Sequence, residues 1–228
     1  MEKSIKGNVD AVRGRIGDAI RKAGRDPVEV TLLAATKNRS AEMVQEAISA
    51  GVRVFGENRV QELAEKVDRV EGEIDWHFIG HLQRNKVKTV VGVVSLVHSV
   101  DTFRLAQEID RRAAQIGRSQ ALLLQVNVAG EESKSGVAPS DLAVLVDELK
   151  DLRNIEVRGL STIAPLVDEP EKVRWVFREL RDLGRELEQE NKDFTCSELS
   201  MGMTGDFEVA VEEGSTIVRV GTAIFDID

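Results

Sequence analysis

The chain is expected to fold as an α/β protein, a single TIM-type (β/α)8 barrel with an extra N-terminal helix, spanning residues 1–228 as one domain. Three observations predict this. Short apolar runs rich in β-branched residues alternate with helical patterns about eight times, the number that closes a parallel barrel. The rhythm does not change along the chain. The residues of chemical interest fall just after the apolar runs, where the carboxyl ends of barrel strands carry sites.

The first element is a helix over 5–23, where Ile5, Val9, Val12, Ile16, Ala19, Ile20 and Ala23 recur at helical spacing and Gly24 and Pro27 supply the stop. Residues 30–35 then form a nearly continuous apolar strand, followed by Ser40 as N-cap of a helix opened by Glu42 and Met43. Strand 52–55 with helix 59–70, strand 76–79 with helix 84–90, and strand 93–97 with helix 102–116 repeat the unit. Strand 121–128 leads through a Gly- and Ser-containing loop to helix 139–151, where Pro139, Ser140 and Asp141 suit a helix start. Strand 155–160 with helix 171–189, strand 197–200 with helix 206–212, and strand 216–220 running on into Thr222 and Ala223 complete the set. An open doubly wound sheet also alternates strands and helices; the count of units favours the barrel.

Bulk properties bound the function. The chain is 42% hydrophobic and 31% charged, an ordinary globular composition. A net charge of -9 argues against a general nucleic-acid binder, which needs a surplus of Lys and Arg on one face. Apolar residues never run to the roughly 18 positions of a membrane span; the stretch 87–97 is broken by Lys88, Thr89 and Gly92. Cys196 is alone, and Glu2 and Lys3 open the chain in place of an apolar leader, so a cytoplasmic location is expected.

Lys37 follows the first strand directly, which places its amine at the barrel mouth. Desolvation there favours the neutral amine, the form that attacks an aldehyde. The alternative is a surface lysine at a strand end. Residues 56–62 put a glycine and polar side chains after the second strand, either to orient a ligand or as a tight turn with Asn58 capping the next helix. His77 and His81 are four apart, but on a strand running into a loop and without acidic or Cys partners at ligand spacing, so no metal is expected. His98, at the end of the fourth strand, is either a ligand contact or an ordinary strand residue.

Near the carboxyl terminus, residues 200–206 and 219–223 both resemble anion sites. Glycine lets a phosphate approach backbone N–H groups, Ser and Thr add hydroxyl donors, and a helix start adds a favourable dipole.

These stretches together resemble one family, the pyridoxal-phosphate homeostasis proteins of the YggS/PROSC type, which share a barrel with the first domain of alanine racemase. The resemblance is carried by Ala35-Thr36-Lys37, Phe55-Gly56-Glu57-Asn58 with Gln61-Glu62, Trp76-His77-Phe78-Ile79-Gly80, Leu82-Gln83-Arg84-Asn85-Lys86 and Val126-Asn127-Val128. It continues through Gly130-Glu131-Glu132-Ser133-Lys134-Ser135-Gly136, Gly159-Leu160, Thr162-Ile163-Ala164-Pro165, Leu199-Ser200-Met201-Gly202-Met203 and residues 218–225.

The resemblance implies pyridoxal 5'-phosphate (PLP) as cofactor, held as an aldimine (Schiff base) on Lys37. Ser200, Gly221 and Thr222 would hold the phosphate, Asn58 and Met201 would line the ring pocket, and Lys134 would lie near the cofactor mouth or in a solvated loop. Arg219 would face the pyridine nitrogen; an always-charged guanidinium keeps that nitrogen unprotonated and weakens the ring as an electron sink. The alternative for Arg219 is a salt bridge at the barrel end. The sequence departs from the family pattern at Ser161 (usually Met), Arg59 (often aromatic), Thr204 (usually Ser) and Asp226 (usually Gly). An acidic side chain at 226 is expected to repel the phosphate.

The chain contains no Tyr, and the related racemases use a tyrosine opposite the lysine, so two-base racemisation of that kind is excluded. The expected function is intracellular PLP homeostasis: a monomeric, non-catalytic protein that buffers the cofactor and supplies apo-enzymes, without nucleic-acid or membrane partners. The competing expectation is a PLP-dependent amino-acid racemase or lyase with Lys37 as its only base.

Overall fold

The structure, a computed structural model, describes residues 4–25, 30–131 and 134–227. Pro27 of the expected helix stop and Glu132 and Ser133 of the Gly- and Ser-containing loop lie outside the described residues.

Helix α1 (Ile5–Lys22) begins where Ser4 Oγ accepts the amide of Gly7, and it buries Ile5, Val9, Val12, Ile16 and Ala19, the stripe that its spacing predicts. Strand β1 (Thr31–Ala35) follows, then α2 (Ala41–Ser49), whose first turn is capped by Ser40 through the amide of Met43. Next come β2 (Val54–Glu57), α3 (Val60–Val67), β3 (Asp75–Phe78), a 3-10 turn (Arg84–Lys86) and α4 (Val87–Val90). Strand β4 (Leu96–Val100), α5 (Phe103–Gln115), β5 (Gln120–Gln125) and α6 (Leu142–Leu149) continue the alternation. Then follow β6 (Ile155–Ser161), α7 (Arg174–Glu190), β7 (Glu198–Ser200), α8 (Phe207–Glu212), β8 (Ile217–Val220) and α9 (Thr222–Phe225).

The eight strands pair in chain order, all parallel, and β8 pairs back onto β1 to close a barrel. The doubly wound alternative is thereby excluded, because an open sheet would leave two edges unpaired. Helix α1 packs on α2, α8 and α9, and Asn8 Nδ2 donates to the Ile224 carbonyl at 3.0 Å. The extra helix therefore fastens the two ends of the barrel sequence to each other.

Several boundaries differ from expectation, among them the end of the strand expected over 121–128, which stops at Gln125, and two more have a plain cause. The fourth strand begins at Leu96, three residues after the predicted start at Val93, because Gly92 takes a positive φ of 89° and turns the chain, leaving Val93 exposed. The last strand does not run into Thr222 and Ala223. It stops at Val220, and the amides of Ile224 and Phe225 both bond to the Gly221 carbonyl, starting the helical turn α9.

The lower part of the barrel interior is apolar, a cluster of Leu33, Leu96, Ala121, Leu123 and Ile217. Gly159 on β6 marks a tight crossing to β7: its φ is 152°, and a Cβ there would lie 1.9 Å from the carbonyl oxygen of Glu198. Gly159→Ala is expected to lower stability by about 3 kcal/mol or more, since the strained φ and the backbone clash add; denaturant unfolding of the variant measures it, and a loss under about 1 kcal/mol would contradict the account.

Candidate functional site

Parallel strands deliver all their carboxyl ends to one mouth, and a cavity of about 440 Å3 opens there. Its walls come from the loops after β1 (Lys37, Arg39), β2 (Asn58), β6 (Ile163 to Val167), β7 (Met203 to Asp206) and β8 (Arg219, Gly221, Thr222). Of the residues expected in the site, Lys37, Asn58, Arg219, Gly221 and Thr222 thus lie together.

Ser200 and Met201 do not line this cavity. Both are fully buried beneath it. The Ser200 hydroxyl is engaged inside the barrel with Arg219 and His98, and Met201 is held by its backbone, its amide on the Ile217 carbonyl and its carbonyl on Ser215 Oγ. The walls that the sequence placed on Ser200 and Met201 are formed by the next residues, Met203, Thr204, Gly205 and Asp206. Thr204 Oγ1 accepts the amide of Ala223 at 3.3 Å, which ties this loop to the start of α9. Asp206 accepts the Met203 amide at 2.6 Å, and burial raises the carboxyl above its ordinary value.

Lys37 is exposed at the cavity wall, and among the described residues its Nζ has no hydrogen-bond or ion-pair partner. The expected desolvation by neighbouring side chains is therefore not provided by the protein alone. Its backbone is nonetheless tightly placed. Thr36, immediately before it, is buried; its amide and hydroxyl both reach the Gly56 carbonyl, and the hydroxyl lies 2.6 Å from Glu57 Oε1. Glu57 is fully buried and paired with Lys66, whose ammonium also donates to the Thr36 carbonyl at 2.7 Å. On the other side of Lys37, Glu62 accepts the amide of Asn38 at 2.9 Å. Asn38 itself sits at a positive φ of 58°, and Asn tolerates that region better than most residues. The acidic residues of the 56–62 segment thus brace the chain around Lys37, a role that the sequence did not assign to any of them.

Asn58 does not cap α3, whose first residue is preceded by Arg59 with no side-chain cap. Its amide donates to Glu57 Oε2 at 3.0 Å, and its carbonyl packs so closely on Gly80 that a Cβ there would come within 2.1 Å of it. The glycine of the Trp76-His77-Phe78-Ile79-Gly80 stretch is explained by this contact.

Arg219 forms the cavity floor and is almost wholly buried. One Nη donates to the Ser200 carbonyl at 2.7 Å and to its hydroxyl at 2.6 Å, and the other to the Thr162 carbonyl at 2.7 Å. No salt bridge holds it among the described residues. Burial brings its pKa down to about 10, against the pull of Asp206, so it stays charged at neutral pH. Lys37, Arg39 and Arg219 outnumber the single carboxylate Asp206 in the cavity wall, so an acidic protein presents a locally positive mouth.

Asp226 is accommodated by the fold. Its φ of -83° is open to any residue, so no glycine is needed, and its carboxylate pairs with Arg39 while staying outside the cavity wall. Ser161 is buried and donates to the His98 carbonyl at 2.5 Å. Arg59 reaches Glu62 at 3.3 Å and the Asn38 side chain at 3.5 Å. Lys134 does not line the cavity; it pairs with Glu131 and donates to the Ala164 carbonyl at 3.1 Å, anchoring the loop after β6.

His98 lies within β4, not at its end, and is buried between His77 and Ser200. His81 is elsewhere, near Ser135. Among the described residues there is no group of three or more His, Cys, Asp or Glu placed to hold a metal, and no helix long and apolar enough to cross a membrane.

A parallel barrel with a lysine after its first strand and glycine-containing loops after its last two defines the class. The chain belongs to the family described as alanine racemase, N-terminal domain, whose model matches residues 8–228. It is 47% identical over 212 residues to the pyridoxal phosphate homeostasis protein of Aquifex aeolicus, covering 92% of each chain. It is 41% identical over 223 residues to the protein of that name from Pseudomonas aeruginosa, covering 97% of this chain and 95% of the other. The crystal structure of PipY from Synechococcus elongatus with PLP bound superposes with a TM-score of 0.86 at 37% identity, covering 97% of this chain and all of that one.

Two outcomes check the electrostatics. Lys66→Met strands the buried Glu57 charge and is expected to cost about 3–5 kcal/mol in denaturant unfolding, whereas adding Glu57→Leu recovers much of that loss. Burial, above all, holds His98 neutral, well below its usual 6.5. The unfolded chain takes up that proton and the folded chain does not, so stability is full above pH 6.5 and falls as pH drops below it, by about 1.4 kcal/mol per pH unit from this group. His98→Gln is expected to flatten that slope, measured by unfolding at a series of pH values.

Proposed function

We propose that the protein holds PLP in the cavity at the barrel mouth for cofactor homeostasis, with Lys37 as the amine that condenses with the aldehyde. The observation that carries this reading is the placing of one unpaired lysine amine in the same cavity wall as two glycine-containing anion loops and a buried arginine.

The residues present fit the group. The loop 203–206 and residues 221–222 offer backbone amides and the hydroxyls of Thr204 and Thr222 to the phosphate, and a Cβ at Gly205 would meet nothing within 4 Å, leaving open space beside the backbone. Gly221 approaches the Ala35 carbonyl, so a Cβ there would come within 3.1 Å of it, and the last loop can lie against β1 next to Lys37. Lys37 would hold the group through its amine, and a filled cavity would shield that amine from water. Asn58, Ile79 and Arg219 would line the place of the ring.

When bound, PLP can supply an electron sink for amino-acid chemistry, but the protein's own groups oppose that use. Arg219, charged and buried, disfavours a protonated ring nitrogen. The chain has no Tyr, and among the described residues the cavity wall offers only Lys37 and Asp206 to move a proton, the first taken up by holding the cofactor and the second tied to the Met203 amide. A holding and supplying role, with apo-enzymes as recipients, is what this inventory suits. The pyridoxal phosphate homeostasis proteins among its relatives carry a name that agrees with it.

Titrating PLP into the protein is expected to raise a visible absorption band that borohydride removes, leaving a reduced adduct on Lys37 in peptide mapping. Lys37→Ala is expected to lose the band. The same band in the variant would refute the assignment, and α-deuteron loss from an amino acid at enzyme-like rates would replace holding with catalysis.

A further inference from the structure

Five side chains form a continuous hydrogen-bonded chain across the barrel interior. Nη1 of Arg219 donates to Ser200 Oγ at 2.6 Å, and that oxygen lies 2.8 Å from Nδ1 of His98. Nε2 of His98 is 2.9 Å from Nδ1 of His77, and Nε2 of His77 is 3.3 Å from Oδ2 of Asp75. The members sit on β8, β7, β4 and β3, so the chain starts at the cavity floor and ends at the opposite mouth, where Asp75 is half exposed. Ser200, His98, His77 and Arg219 are all buried.

The chemistry of the two ends fixes the direction of every bond. A guanidinium has only N–H groups, so Ser200 Oγ must accept from it. The one hydroxyl proton is then given to His98, whose Nδ1 must be the acceptor. A neutral His98 carries its proton on Nε2 and donates to His77 Nδ1, and His77 in turn donates from Nε2 to the Asp75 carboxylate. Starting from Asp75, which only accepts, gives the same assignment for a neutral His77; the reverse, with His98 donating to Ser200, would leave the Ser200 hydroxyl proton without an acceptor among the described residues. No member can reverse unless another loses its partner.

Placing two imidazoles and a hydroxyl in a barrel interior is costly compared with the apolar cluster of Leu33, Leu96, Ala121, Leu123 and Ile217 beside them. What the polar chain provides is control of one atom group. It holds one edge of the Arg219 guanidinium, with the Ser200 and Thr162 carbonyls, and leaves the remaining N–H groups to the cavity.

We propose that His98 and His77 are positioning residues for the cofactor: through Ser200 they fix the orientation of Arg219, so that a ligand contact at one barrel mouth depends on an acid–histidine pair at the other. This rests on reading Arg219 as the group that faces the PLP ring nitrogen. Neither histidine lines the cavity, so sequence proximity to the site does not reveal them.

Two measurements test it. Nitrogen NMR of the histidine rings in the wild-type protein without PLP is expected to show His98 neutral near pH 7 and protonated on Nε2; a charged His98, or one protonated on Nδ1, overturns the relay. In PLP titrations followed by visible absorption, His77→Phe is expected to weaken binding about tenfold, the size of one lost bond in a buried network, and to shift the band maximum. His77→Asn, whose amide oxygen stands near the place of Nδ1, is expected to restore much of both. Unchanged affinity and band in His77→Phe overturn the positioning role, and should that variant fail to fold, His77→Asn and the wild-type ring protonation decide. A wild-type protein that gives no band with PLP refutes the cofactor reading instead, while the ring protonation still decides whether the relay exists.

Discussion

The constraint on which this structure depends is that the charges buried beneath the cavity, inside the barrel and between its strands and helices, must find partners. Neither layer admits enough water to solvate a charge, so one placed there is stable only when paired. Glu57, which faces α3 on the outer side of β2, meets this requirement through Lys66, Thr36 and the Asn58 amide. Arg219 meets it through Ser200 and Thr162. These two networks lie under opposite sides of one cavity, the first bracing the backbone that carries Lys37 and the second forming the floor.

That division of labour explains why an exposed, flexible lysine can serve a precise site. A lysine side chain has many rotamers, and its own packing does not hold Nζ here. What is fixed is the backbone on either side of it: Thr36 by Gly56 and Glu57, Asn38 by Glu62. The amine sweeps a small volume from a rigid base, beside the glycine-containing loops of the same cavity wall. Arg39, the other cation on this loop, is partly neutralised by Asp226. Asp226 therefore moderates the charge at the mouth without lining the cavity.

The barrel and most of the site were legible in the sequence for physical reasons. β-Branched runs are buried on both faces in parallel strands and so stand out, and Lys37, Gly221 and Thr222 immediately follow such runs. What the sequence did not disclose depends on turns and on distant strands. A positive φ at Gly92 delays β4 by three residues and so moves His98 from the strand's end into its middle. Met201 and Ser200 could be placed near the phosphate by order along the chain, but the alternation of β7 turns the Ser200 hydroxyl into the barrel, and the cavity falls to Met203, Thr204, Gly205 and Asp206. The partners of His98 lie 21 and 102 residues away in the chain, beyond the reach of any local spacing rule.

The glycines at the cavity show how closely backbone and function are joined. Gly80 is required by the Asn58 carbonyl, not by any ligand. Gly56 lies under the loop that carries Lys37, where a Cβ would strike Leu33 at 2.5 Å and Ile79 at 2.9 Å; Ile79 is itself a cavity wall. A substitution at either position would therefore alter the site by pushing its walls, although neither glycine touches what the cavity holds. Invariance of such residues among relatives would reflect packing of the barrel rim, whereas the amides of Thr204 and Gly205 have no hydrogen-bond partner among the described residues and are open to an anion.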